Sequence, residues 1–136
     1  MNKNLIGDII IAKFMNLEFS VDENCWIPKK NGRTDIDHEE LIISGLSDND
    51  DELKFSKSFD WIMPVVKKIS KLKSLNGFNY RFSIKNVFDD KVLYVTTFSE
   101  IGEYSFDKNV ISYSIDESLI KSIYSSVVDF IKKYNN

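Results

Sequence analysis

The chain has one cysteine, one histidine, two prolines, five glycines and, among its basic residues, only two arginines. Cys25 alone cannot close an internal disulfide, so a reducing compartment, the cytosol, is the expected setting. One cysteine and one histidine cannot supply the four nitrogen or sulfur ligands of a structural zinc site. A single histidine is equally weak ground for a catalytic triad. The glycines at 7, 32, 45, 77 and 102 stand apart from one another, so neither a P-loop nor a dinucleotide fingerprint is present. No apolar run approaches the roughly 20 residues that cross a bilayer, because Asp8 and Lys13 interrupt the richest early stretch. The opening Met-Asn-Lys-Asn lacks the basic, apolar and small-residue order of a signal peptide. The expectation is a cytoplasmic protein with no membrane partner.

What is present is an ordinary globular composition. At 136 residues, with 43% hydrophobic and 13% aromatic content, the chain is long enough to bury a core as a single domain, 1–136. Its net charge of −3 argues against a general electrostatic hold on nucleic acid, which needs lysines and arginines to neutralise phosphates.

Periodicity supplies the elements. Leu5, Ile6, Ile9, Ile10 and Phe14 recur at helical spacing, predicting a helix over about 3–15 with those residues as its buried stripe. Phe19 and Val21, a turn at Asp22-Glu23-Asn24, and Cys25-Trp26-Ile27 before Pro28 predict a hairpin. Ser58 is placed to cap a helix from Phe59, with Asp60 in its first turn and Pro64 loosening or kinking it. Trp61, Ile62, Val65, Val66, Ile69 and Leu72 face the core of that helix, and Asn76-Gly77 ends it.

Phe78, Tyr80, Phe82 and Ile84 alternate with polar neighbours, the pattern of a half-buried strand. Val92–Phe98 is apolar on both faces and is expected to be central. Glu103–Phe106 and Val110–Tyr113 are expected to pair around Asp107-Lys108-Asn109. Ser114 to Glu117 has capping-box spacing ahead of a last helix whose apolar face runs Leu119, Ile120, Ile123, Tyr124, Val127, Val128, Ile131, Tyr134. The predicted fold is α+β: an antiparallel sheet of about five strands, with N-terminal, central and C-terminal helices packed mainly on one face.

Candidate chemistry is sparse. His38 lies among Asp35, Asp37, Glu39 and Glu40, donors for a divalent metal if they converge, although polar loops are full of such clusters. Asp48-Asn49-Asp50-Asp51-Glu52 alternates oxygen ligands but lacks the glycine and distal glutamate of an EF-hand, and reads as an acidic surface loop. Glu52-x-Lys54 matches a fragment of the metal-dependent nuclease pattern without its acid partner. Cys25 beside Trp26 on a strand reads as a buried, inert thiol. Lys29, Lys30 and Arg33 near Trp26 join positive charge to an aromatic, a combination that stacks a base or holds a phosphate. No metal or cofactor is expected.

Two blocks carry a likeness. Leu53–Ile69 reads LKFSKSFDWIMPVVKKI, and Ile123–Asn135 closes the chain with VVDFIKKYN. They resemble a family of small uncharacterised proteins of Bacteroidota and their phages, with runs like LKYHSSWDWLMPVVEKI and VVEFIKWYN. Leu5-Ile6 to Leu17 is similar more weakly. Phe59, Phe55-Ser56 and Lys133 depart from that pattern.

With no catalytic constellation in view, the chain reads as a non-enzymatic binding protein. The resemblance implies a narrower form: a phage or mobile-element accessory protein in the bacterial host cytosol, inhibiting a defence system by contact with a host protein, in the manner of an anti-CRISPR. Residues 28–52 fall outside both blocks, so Lys29, Lys30, Arg33, Asp48, Asp50 and Asp51 are the expected partner-binding residues. The alternative is a protein sequestering a small ligand or nucleotide signal, in a pocket using Trp26, Arg33 and Arg81. A metal-dependent nuclease is the second alternative.

Overall fold

A computed structural model describes residues 3–20, 25–28, 53–88, 90–101 and 108–135. The described elements are α1 (Lys3–Phe14), β1 (Leu17–Ser20), β2 (Cys25–Pro28), α2 (Phe59–Lys71), β3 (Tyr80–Phe88), β4 (Val92–Ile101), β5 (Lys108–Asp116) and α3 (Leu119–Tyr134). The architecture is α+β, but the strands do not form one sheet. β1 and β2 make a separate hairpin, and β3-β4-β5 form a three-stranded antiparallel sheet. The sequence shows how many segments favour the extended state; which strands share a ladder is a matter of long-range pairing, and that is where the five-strand expectation failed.

The chain divides into two compact units, Met1–Val65 and Val66–Asn136. In the first, α1 ends where Asn16 takes a left-handed conformation (φ 60°), its amide bonding the Lys13 carbonyl at 3.1 Å. Asparagine tolerates this region better than most side chains, so it closes the helix and turns the chain into β1. β1 and β2 pair as expected, with Phe19 opposite Trp26. The stripe predicted for α1 is rotated: Ile6 is exposed and Ile9 and Ile10 are half-buried, whereas Asp8, Ile11, Ala12 and Met15 are buried. Four isoleucines crowd this helix, so apolarity alone does not say which flank faces inwards. Leu53 and Phe55 are buried beside the start of α2, and Trp61 meets Phe55 edge-on with centroids 5.2 Å apart.

α2 starts where the Ser58 carbonyl accepts from Trp61 at 3.2 Å and Ile62 at 3.1 Å. The first of these is an i→i−3 bond, a tightened turn of the kind common at helix ends. The helix continues through Pro64. Ile62, Val65, Val66 and Ile69 are buried, as their spacing predicts. It ends at Lys71, short of the expected Asn76-Gly77. Those two residues instead belong to a tight turn in which Gly77, at φ 82°, donates to the Ser74 carbonyl and Ser74 donates to Phe78.

In the second unit β4 is central, as its sequence predicts. Val110–Tyr113 pairs with β4; its expected partner, Glu103–Phe106, lies outside the described residues. α3 packs across β4 and β5. Its cap is Ser118, not Ser114: the Ser118 hydroxyl accepts from Lys121 N, and the Asp116 carboxylate accepts from Ser118 N at 2.8 Å. Ser114 is held in β5 by its ladder, so the capping-box spacing fell one turn early. Ile123, Val127, Phe130 and Ile131 are fully buried, each contributing roughly 1.5–3 kcal/mol through lost water contact. Tyr134, predicted to be interior, is 41% exposed.

Candidate functional site

Alternation decides what each side of the three-stranded sheet presents. Ladder pairs put Phe82, Phe98 and Ser112 in one cross-strand row and Ile84, Thr96 and Ser114 in the next. This side meets α3 through hydroxyls as well as rings. Thr96 Oγ1 lies 2.8 Å from the Ser122 carbonyl and 2.9 Å from the hydroxyls of Ser122 and Ser126. Ser122 Oγ in turn reaches the Tyr94 and Ser114 carbonyls, and Ser112 donates to the Ser126 carbonyl. These small polar side chains let the helix backbone lie close to the strands while every buried hydroxyl finds a partner. With no ionisable base in the cluster, it has the chemistry of a structural joint.

Towards the amino end of β3 the same side is aromatic. Tyr80 stands edge-on to Phe130 at 4.8 Å, Phe130 stacks with Tyr134 at 5.7 Å, and Phe98 lies 5.4 Å from Phe130. An open groove of about 640 Å³ begins here, walled by Leu75, Tyr80, Val110, Ile111 and Tyr134, with Lys73 and Lys133 at its border. Lys133 is already engaged, donating to the Ile111 carbonyl at 2.9 Å and pairing with Asp129 at 3.1 Å. The Tyr80 phenol is held above its ordinary pKa by burial, then by the nearby Glu100 carboxylate and Tyr134.

At the other end α3 lies over β4 and β5, and the second half of β3 is left open. Ile84, Phe88 and Val92, on the side that faces α3, are exposed at the β3–β4 hairpin, and Val87, Tyr113 and Ile115, exposed as well, lie on the opposite side. Phe88, 73% exposed, sits at the hairpin end opposite Val92. Exposed apolar residues scattered singly need no explanation, but Ile84, Phe88 and Val92 share one side of the hairpin and form a surface that contact would remove from water. The alternation along β3 predicts a uniformly half-buried strand, and the exposure of its second half departs from that. The available signal was Val87-Phe88 and Val92-Leu93 flanking the polar turn at 89–91, apolar residues where a hairpin tip is usually polar.

Of the residues singled out from the sequence, Lys29, Lys30, Arg33, Asp48, Asp50 and Asp51 lie outside the described residues, as does His38. Trp26 is on β2 in the first unit, and Arg81 is exposed on β3 in the second, one position from Tyr80 and therefore on the face opposite the aromatic groove. Among the described residues no three histidine, cysteine or acidic side chains converge in a way that could hold a metal ion. No helix among them is long and apolar enough to cross a membrane. No protein family model, curated protein or solved structure matches this chain.

Proposed function

We propose that this protein works by contact with another protein and carries out no chemistry of its own. The observation that supports the reading is the group of Ile84, Phe88 and Val92 left open to water on one side of the β3–β4 hairpin. A monomer loses stability by leaving such side chains uncovered, and a partner's surface recovers it. The test is site-specific photocross-linking in host cells from position 88, compared with position 132 on the exposed side of α3. The reading expects a discrete cross-linked protein from position 88 only, lost when Ile84 and Val92 are changed to threonine. Equal or absent cross-linking at both positions overturns it.

The narrower form, an inhibitor of a bacterial defence effector carried by a phage or mobile element, is supported by the resemblance of the two sequence blocks alone. Its test is whether expression restores phage plating on a host with an active defence system. Plating unchanged across a panel of such systems rejects it.

A second reading, a small-ligand binder, is favoured by the groove between Tyr80 and Tyr134, whose volume falls in the range of ligand sites. Its aromatic wall with Lys73 at the border suits a planar anion. Thermal shift against a panel of nucleotides and aromatic carboxylates tests it, with Tyr134→Ala as the variant that abolishes any shift. A panel that leaves the melting temperature unmoved removes this reading.

A further inference from the structure

We infer that β3 is a docking edge for an extended segment of another protein, one in which apolar and acidic residues alternate and which adds a fourth strand to the sheet. The inference rests on the contact reading above and names the partner's chemistry.

β3 and β5 are the two edges of the sheet, and they differ. The β4–β5 ladder breaks register between Phe98 and Ser99, leaving Ile111 as the extra residue of a bulge on β5. A bulge bends and twists an edge, which discourages a further strand. β3 instead pairs in unbroken register through all its nine residues, from Tyr80 opposite Glu100 to Phe88 opposite Val92, and contains neither proline nor glycine. A regular antiparallel edge directs every second residue's amide and carbonyl outwards. Among the described residues no strand pairs with that side of β3.

The side chains specify what fits. On the face that meets α3, Tyr80 and Phe82 are partly covered, but Ile84 and Phe88 remain 45% and 73% exposed. On the opposite face Arg81 and Lys85 are exposed, four residues apart and so about 14 Å apart along the strand. Their neighbours across β4 are Ser99 and Val95, and among the described residues neither cation has an ion-pair partner. A carboxylate opposite Ser83 on an incoming strand lies diagonal to both cations, within reach of their long side chains.

Its two chain neighbours then stand opposite Phe82 and Ile84, on the apolar face. The matching pattern is therefore apolar, acidic, apolar, whichever way the strand runs. A second copy of β3 matches poorly, because it brings another Arg81 and Lys85 to the same face as the first pair.

The experiment titrates the full-length, isotope-labelled protein with two short synthetic peptides, one alternating valine with glutamate and one alternating valine with lysine. The inference expects the glutamate peptide to bind, to slow exchange of alternate β3 amides and to leave the outer edge of β5 unprotected. It expects about tenfold weaker binding by the double variant Arg81→Glu, Lys85→Glu, which takes the lysine peptide instead. Both positions are exposed, and an unchanged melting curve verifies that the variant is folded.

Equal binding of the two peptides, protection at β5, self-association of β3 that the peptide does not displace, or no β3 protection each overturns the inference. If the photocross-link from position 88 persists while the peptide fails, only the edge proposal falls. If the cross-link is absent, the contact reading itself falls.

Discussion

At the scale of single residues, the most consequential group is the buried hydroxyl of Thr96. Its three oxygen neighbours at 2.8 and 2.9 Å all belong to α3, so it ties helix to sheet at one point. Thr96→Val keeps the volume and removes the hydrogen bonds, leaving a buried carbonyl less well satisfied. The expected loss is about 1–2 kcal/mol in urea denaturation, with Thr96→Ser close to wild type and the exposed Ser125→Ala neutral.

Tyr80 makes a pH prediction. Its folded-state pKa is raised above 10.0, so the folded protein retains the phenolic proton to higher pH than the unfolded chain. The associated stability is fully present below pH 10.0 and is lost as pH rises through the folded-state value. Denaturation midpoints measured on the alkaline side fall with pH, and Tyr80→Phe makes that fall shallower. An identical slope in the variant rejects the assignment.

At the scale of elements, α3 shows how a helix is positioned by its first turn. Asp116 at the end of β5 and Ser118 at the cap hold the chain where strand becomes helix, and each satisfies an amide that the helix leaves unpaired. Ser118→Ala should cost about 1 kcal/mol, and Ser114→Ala, which removes no cap, should cost less in the same thermal melt.

The edge strand carries the functional stake. α3 meets β3 at its amino end, where Phe130 and Tyr134 pack against Tyr80, and leaves its second half open; both the proposed contact surface and the proposed docking edge follow from that incomplete cover. Replacing Phe88 with serine is expected to leave the melting temperature unchanged or slightly raised, because the side chain is mostly in water already. A large loss of stability would assign Phe88 to the core.

At the scale of the whole molecule, one helix belongs to both compact units: Phe59–Val65 lies in the first and Val66–Lys71 in the second. Breaking a helix in its interior forfeits hydrogen bonds on both sides of the break, so the units are expected to unfold in one transition. Trp61 is the place to test this. It is 3% exposed and packs edge-on with Phe55, so Trp61→Ala should cost about 3–5 kcal/mol. Calorimetry should show a single peak displaced to lower temperature. Two peaks, with only one displaced, would mean that the units fold independently.

The segments readable from local pattern are those in which that pattern admits one answer. The amphipathic run from Trp61 to Ile69, the antiparallel pairing of Leu17–Ser20 with Cys25–Pro28 and the central place of Val92–Phe98 are legible, because period and strand propensity are properties of neighbouring residues. Ser118 as the cap, the rotated stripe of α1 and the division of the strands into a hairpin and a three-stranded sheet are not. Each turns on which distant surface an element meets, and several serines or isoleucines satisfy the local pattern equally well.

The proposed contact surface is the extreme case. Ile84 and Phe88 carry the same alternation as Tyr80 and Phe82, and nothing in their spacing marks the second pair as covered and the first as open. Only the course of α3 decided that: it starts beside Asp116, opposite Tyr94, lies over β4 and β5, and comes to β3 where Phe130 and Tyr134 meet Tyr80.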